Sequence, residues 1–399
     1  MMEWLFLLLP VAAASGWWVA RRNETPRRRA NHAAADTVFF RGLNYLLNEQ
    51  PDKALDVFLK FAEIDGETAE TYLALGALFR RRGEVERAIR VHQDLVARVK
   101  LPIAQRSLAL YELGRDYLHA GLFDRAESLF KELVDMQMQR PLALRALIEI
   151  YQQEKDWLRC LEMAEQLKMD GNELLRIEIA QFHCELAEQY LRSNETESAR
   201  FHLRTAQMVD SNCIRANLLQ AEMAMTGGDA RAALALYRRV AERGPRYVPT
   251  MLPGLLECYQ ALGYTSVAAE LAQLFHAQPS TPLMLELSNA LEREQGSTAA
   301  LHFLTDYLRE RADLAGAERL LELRLKQQQT PAVTDAILLA VVQHLLSAQP
   351  VYQCDHCGFT ARVLHWQCPS CKHWGSIKAV EPGVMTGALP LPKHQLLAE

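Results

Sequence analysis

Catalytic signatures are missing from this sequence. There is no Walker phosphate loop, no G-x-G-x-x-G, no G-x-S-x-G and no H-E-x-x-H. That removes the common nucleotide-binding, hydrolase and metalloprotease readings. Cysteine is scarce: eight in 399 residues are too few for a disulfide scaffold. Basic charge is outnumbered beyond the N-terminal stretch. Residues 1–29 hold five Arg against two Glu, whereas the remainder holds 39 Lys and Arg against 47 Asp and Glu. An acidic body argues against nucleic acid as a partner, because a phosphate track needs clustered Lys and Arg. What is present is globular in composition, 49% apolar and 23% charged.

Trp4 to Ala20 carries no charge over 17 residues, at the short end of what spans a bilayer. Trp4 marks one end and Trp17 and Trp18 the other, where amphipathic rings favour the two interfaces. A cleaved signal peptide would carry its positive charge before the apolar run. Here only Glu3 precedes it, and Arg21, Arg22, Arg27, Arg28 and Arg29 follow. The expectation is an uncleaved anchor over residues 1–20, its N-terminus outside the cytoplasm and the body inside. Residues 21–36 form a basic juxtamembrane linker. A periplasmic scaffold is the competing topology and would need the first helix to act as an ordinary signal peptide.

From residue 37 to residue 348 the chain reads as helix after helix. Gly42 to Gly76 and Ala54 to Ala88 are both 34 apart, Tyr117 to Tyr151 and Ala199 to Ala233 also 34, and Ala233 to Ala268 is 35. Small residues recurring at that period mark tetratricopeptide repeats, about eight of them here. The small residues let paired helices approach, and large ones such as Phe79, Tyr117 and Phe130 fill the space between pairs. Gly83 and Gly121 are placed for the tight turn inside a pair, and Pro245 follows the second helix of the repeat around Ala233. The array resembles tetratricopeptide proteins over roughly 300 residues. That resemblance implies an all-α superhelical solenoid whose groove binds peptides or proteins. Arg80, Arg81, Arg115 and Arg145 fall on the groove face as candidate partner-binding residues; an ordinary solvated face is the weightier reading of them.

Residues 354–371 read CDHCGFTARVLHWQCPSC, two C-x-x-C pairs separated by ten residues. Cys354, Cys357, Cys368 and Cys371 would present four thiolates as a tetrahedron to a single zinc or iron ion. Gly358 follows the first pair, where backbone N–H groups turn toward sulfur. The module over residues 351–378 is too small to fold on its own core, so metal supplies stability. Trp366 and Trp374 are expected to pack on it or on the last repeat. His356, His365 and His373 read as bystanders, since four Cys complete the shell. Cys160, Cys184, Cys213 and Cys258 read as buried small hydrophobes. Residues 379–399 turn polar and are expected to be a disordered tail.

The tail motif resembles rubredoxin-like knuckles and short zinc ribbons. Lys372 stands where the second knuckle ordinarily has Gly, and the module is short for a redox rubredoxin; both argue against electron transfer. Taken with EWLFLLLPVAAASGW, LGALFRRRGEVERAIRVHQ, LGRDYLHAGLFDRAE and CGFTARVLHWQCPSCKHW, the chain resembles the lipopolysaccharide assembly protein B family of Gram-negative bacteria. The resemblance implies a non-enzymatic regulatory adaptor of the inner membrane. It would help the membrane-anchored protease FtsH degrade the deacetylase that commits precursor to lipid A, and would work with lipopolysaccharide assembly proteins. A homodimer is among the expected states. The alternatives are a redox protein or a nucleic-acid-binding protein using the four-Cys module.

Overall fold

The computed structural model describes residues 69–99, 101–167, 173–327, 333–347 and 349–380, together with four isolated positions before them. Apart from those four positions, the expected anchor (1–20), the linker (21–36) and the start of the array (37–68) lie outside the described residues, as do residues 381–399. Among the described residues no helix is long and apolar enough to cross a membrane.

The chain divides into two units, Met1–Leu167 and Lys168–Glu399. In the first, helical hairpins follow one another: α1 (Ala69–Arg81) with α2 (Val85–Val96), α3 (Ile103–His119) with α4 (Phe123–Asp135), and α5 (Arg140–Glu154) with α6 (Trp157–Gln166). The first helix of each hairpin touches the first helix of the next, which is how tetratricopeptide units stack. Gly76 and Gly114 sit where the partner helix crosses closest. A Cβ on Gly76 would lie 2.3 Å from the His92 ring, and one on Gly114 would lie 2.7 Å from Phe130. Gly83 and Gly121 make the turns within hairpins, with φ of 80° and 74°, a region costly for any residue with a Cβ.

The second unit repeats the plan with α7 (Glu173–Arg192) and α8 (Thr196–Val209), α9 (Ile214–Thr226) and α10 (Ala230–Arg243), and α11 (Val248–Ala261) and α12 (Val267–Ala277). The hairpins α13 (Thr281–Gln295) with α14 (Ser297–Glu310) and α15 (Leu314–Gln327) with α16 (Val333–Ser347) follow. Pro245 opens a short 3₁₀ turn, Pro245–Tyr247, between α10 and α11. Ala88, Ala126, Ala199, Ala233 and Ala268, the small residues of the repeat pattern, are all buried, as are Phe79, Tyr117 and Phe130. Each fully buried Leu or Phe contributes about 1.5–3 kcal/mol relative to exposure.

A small antiparallel sheet, order β2-β1-β3, closes the second unit: β1 (Tyr352–Cys354), β2 (Thr360–Ala361) and β3 (Ile377–Ala379). Register pairs Tyr352 with both Ala361 and Ala379. The ordered module runs past Lys378, because Ala379 belongs to β3 and the Val380 N–H donates to the Val351 carbonyl at 2.9 Å.

Candidate metal centre and its seat on the array

The two C-x-x-C pairs fold as matching knuckles. The Gly358 N–H donates to the Cys354 carbonyl and the Lys372 N–H to the Cys368 carbonyl, each at 2.9 Å. Cys354 N–H donates to Phe359 and Cys368 N–H to His373, at 2.8 and 2.9 Å. Both turns need positive φ after the second cysteine: 76° at Gly358 and 61° at Lys372. Lys372 thus takes the glycine conformation at a cost of roughly 1–2 kcal/mol.

The knuckles bring Cys354, Cys357, Cys368 and Cys371 together, with all ligand atoms within 4.8 Å of one another. Cys354 and Cys371 sulfurs are 3.7 Å apart, and so are those of Cys357 and Cys368. A tetrahedron with metal–sulfur bonds of about 2.3 Å has edges of about 3.8 Å. The quartet therefore fits one tetrahedral ion, and both zinc and iron satisfy that edge. Burial opposes charge on Cys354, but the Ser376 hydroxyl at 3.3 Å and the N–H groups of Cys357 and His356 bring its thiol down to about 6. Burial pushes Cys371 the other way, up to about 12. Four thiolates this close cannot all ionise without a cation. When bound, the ion supplies folding free energy to a module whose own buried cluster is as small as Cys354, Cys368 and Ile377. His356 and His373 stack beside the site at 3.6 Å between centroids, and with Cys371 they form an overlapping, largely exposed group.

Trp366 and Trp374 make their aromatic contacts with earlier hairpins of the second unit. Trp366 stacks on Tyr247 of the 3₁₀ turn, centroids 5.5 Å apart and 18° between planes, with the Arg215 guanidinium 5.6 Å from its centroid. Trp374 meets Phe182 of α7 edge-on at 6.0 Å. The Pro245 turn presents Tyr247 as a shelf for Trp366. Around it, Arg246 donates to both Asp355 oxygens at 2.8 and 3.0 Å, and the Tyr247 hydroxyl donates to the Gly375 carbonyl at 3.2 Å. Burial, then the Asp355 charge, pushes Tyr247 up to about 12. Arg215 is 3% exposed and neutralised by Glu185 and Glu188. Arg246, Tyr247, Phe182 and Asp355 were not marked by sequence reasoning. The available signal was Pro-Arg-Tyr interrupting the helical period. Between ribbon and helices remains a cleft of about 520 Å³.

The four arginines fall on the first helices of hairpins: Arg80 and Arg81 on α1, Arg115 on α3 and Arg145 on α5. Arg80 is mostly buried and bound to Glu112 at 2.5 Å and Asp116 at 2.6 Å, both on the next hairpin. Burial would lower its pKa, but those two carboxylates outweigh it and raise it. Asp116 is fully buried and also holds His92 Nδ1 at 2.5 Å. Arg115 reaches Glu149 at 3.6 Å, again one hairpin on. These two arginines therefore tie neighbouring repeats together. Arg81 is exposed, with no ion-pair partner among the described residues, and Arg145 is half-buried.

Helical hairpins that seat a four-cysteine ribbon define a tetratricopeptide-type scaffold with a metal-binding module at its end. The family model for a rubredoxin metal binding domain matches residues 352–379. Lipopolysaccharide assembly protein B of Escherichia coli K12 is 38% identical over 385 residues, covering 95% of this chain and 98% of that protein. The Haemophilus influenzae protein of the same name is 34% identical over 397 residues, with the same coverage. The chain belongs to the lipopolysaccharide assembly protein B family. Among solved structures, pilF of Pseudomonas aeruginosa aligns with 54% of this chain and 94% of its own, at 19% identity and a TM-score of 0.31.

Proposed function

We propose that this protein is a non-enzymatic adaptor of lipopolysaccharide assembly, anchored in the bacterial inner membrane by residues 1–20 with its body in the cytoplasm. It restrains lipopolysaccharide synthesis by presenting the committing lipid A deacetylase to the protease FtsH. The observation that carries this reading is the match to the family along 95% of the chain, array and ribbon together. The physical logic is tethering. An anchor beside a membrane protease and an array holding the substrate raise local substrate concentration without any new contact. The apolar run from Trp4 and the arginines after Ala20 support that topology.

The test is a crosslinking pull-down from membranes with the intact chain, a deletion of residues 1–20 and a Cys368→Ser, Cys371→Ser variant. The intact chain should recover the protease with the deacetylase. The deletion should remain folded yet no longer support deacetylase turnover, and the double variant should recover less of both. Full turnover with the deletion would sink the tethering mechanism. Recovery of neither protein by the intact chain would sink the adaptor reading.

A further inference from the structure

Cys184 lies on α7 and Cys213 just before α9, 29 positions apart, yet their sulfurs are 3.7 Å from each other. They are 0% and 2% exposed. That distance is van der Waals contact; a disulfide of about 2.05 Å needs the sulfurs to close by less than 2 Å. The other two array cysteines have different neighbours. Cys160 meets the Ile148 carbonyl at 3.9 Å and Cys258 the Met225 thioether at 3.1 Å.

The two thiols sit in unlike surroundings. Cys213 stands at the N-cap position of α9 without a side-chain capping hydrogen bond, beside N–H groups that carry partial positive charge. The Cys184 thiol and the Ala216 N–H lower its pKa against the opposing effect of burial. Gln181 Nε2 donates toward Cys213 Sγ at 3.8 Å, and Arg215 fixes that amide by donating to Gln181 Oε1 at 3.3 Å. Burial raises Cys184 instead and keeps it protonated. Cys213, 2% exposed, is among the residues lining the cleft of about 520 Å³ under the ribbon, which is the side from which a molecule the size of hydrogen peroxide would approach it.

We propose that Cys213 and Cys184 form a peroxide-reactive dithiol that closes to a disulfide. The Cys213 thiolate attacks one peroxide oxygen, the O–O bond breaks, and hydroxide leaves and is protonated to water. Cys213 is then a sulfenic acid. The Cys184 sulfur attacks the Cys213 sulfur, the S–O bond breaks, and the departing hydroxide takes the Cys184 proton as a second water. Two thiols are oxidised by two electrons in all, and one peroxide is reduced. The crosslink pulls on the first turn of α9, which carries Arg215 beneath Trp366, so the ribbon seat registers the thiol state.

The experiment treats the full, metal-loaded chain with graded hydrogen peroxide, followed by mass spectrometry of a non-reduced digest and a parallel assay of released metal. The linked Cys184–Cys213 peptide should accumulate at peroxide levels that leave the ribbon metal bound, and dithiothreitol should remove it. Cys160 and Cys258 should stay unlinked. In a Cys184→Ala variant, dimedone should label Cys213. Metal release before any Cys184–Cys213 link, or linking shared evenly with Cys160 and Cys258, would overturn the proposal. The digest of the unaltered chain decides this even should the variant fail to fold.

Discussion

Gly76 and Gly83 are seven residues apart and are glycines for different reasons. At Gly76 the His92 ring occupies the place of a side chain, 2.3 Å from where a Cβ would stand. At Gly83 the space is open and only the φ of 80° excludes a Cβ. Gly76→Ala should therefore cost about 1–3 kcal/mol through overpacking, because His92 is also held by buried Asp116 and cannot move freely. Gly83→Ala should cost about 1 kcal/mol through backbone strain alone. Urea unfolding of the two variants separates the cases, and combining Gly76→Ala with His92→Ala should recover part of the first loss but none of the second. Lys372 is the reverse situation, a side chain where glycine fits. Lys372→Gly should stabilise the second knuckle by about 1 kcal/mol, seen as slower loss of metal to a chelator. All three positions were legible in the sequence, Gly76 and Gly83 from the period and Lys372 from the knuckle spacing. His92 and Asp116 were not, because a buried polar pair 24 residues apart leaves no periodic mark.

Helices α7 and α8 meet through two histidines. His183 Nδ1 lies 3.0 Å from His202 Nδ1, Tyr190 stacks on His202 at 5.3 Å, and Phe201 meets His202 edge-on at 5.3 Å. Burial first, and the neighbouring His202 second, lower the His183 pKa to about 4. Burial lowers His202 as well. The unfolded chain takes up these protons near pH 6.5 and the folded chain only at lower pH. Between about 6.5 and about 4 the unfolded state thus binds more protons, and stability falls as pH falls through that window. The urea midpoint should drop from pH 7 to pH 5, and His183→Gln should flatten that drop. An unchanged slope in the variant would assign the pH dependence elsewhere. The helices themselves were readable from residues such as Ala199 and Ala233, whose burial follows from their period. The His pair was not, because the repeat fixes which face of a helix is buried and leaves open which polar groups meet at its border. The α16 helix shows the same limit: Val333, Ile337, Val341 and Leu345 share the apolar character of buried repeats, yet all are exposed.

The ribbon and the surface of the helices beneath it are coupled, since neither side of their contact is complete alone. Three small strands around a buried Cys354, Cys368 and Ile377 cannot offset the entropy of folding without metal. On the other side, Tyr247, Phe182 and Arg215 would face water if the ribbon left. The quartet was legible because both knuckles are local, four residues each. The seat was not, since Arg246 and Asp355 are 109 positions apart and no short-range pattern links them. The contact divides unequally. Arg246 and Asp355 are each nearly half exposed, so their pair is worth no more than about 1 kcal/mol. The aromatic pairs at Trp366 and Trp374 each add about 0.5–1.5 kcal/mol beyond the area they bury. Chelating the metal should therefore leave helix content by far-UV circular dichroism almost unchanged, while amide exchange quickens over the ribbon and over residues 213–250. Arg246→Ala should quicken exchange there only slightly. Trp366→Ala should approach the effect of chelation over 213–250 while leaving the metal bound. If exchange over 213–250 stayed slow once the metal was gone, the ribbon would be a passenger on the array and the coupling argued from Trp366 would be wrong.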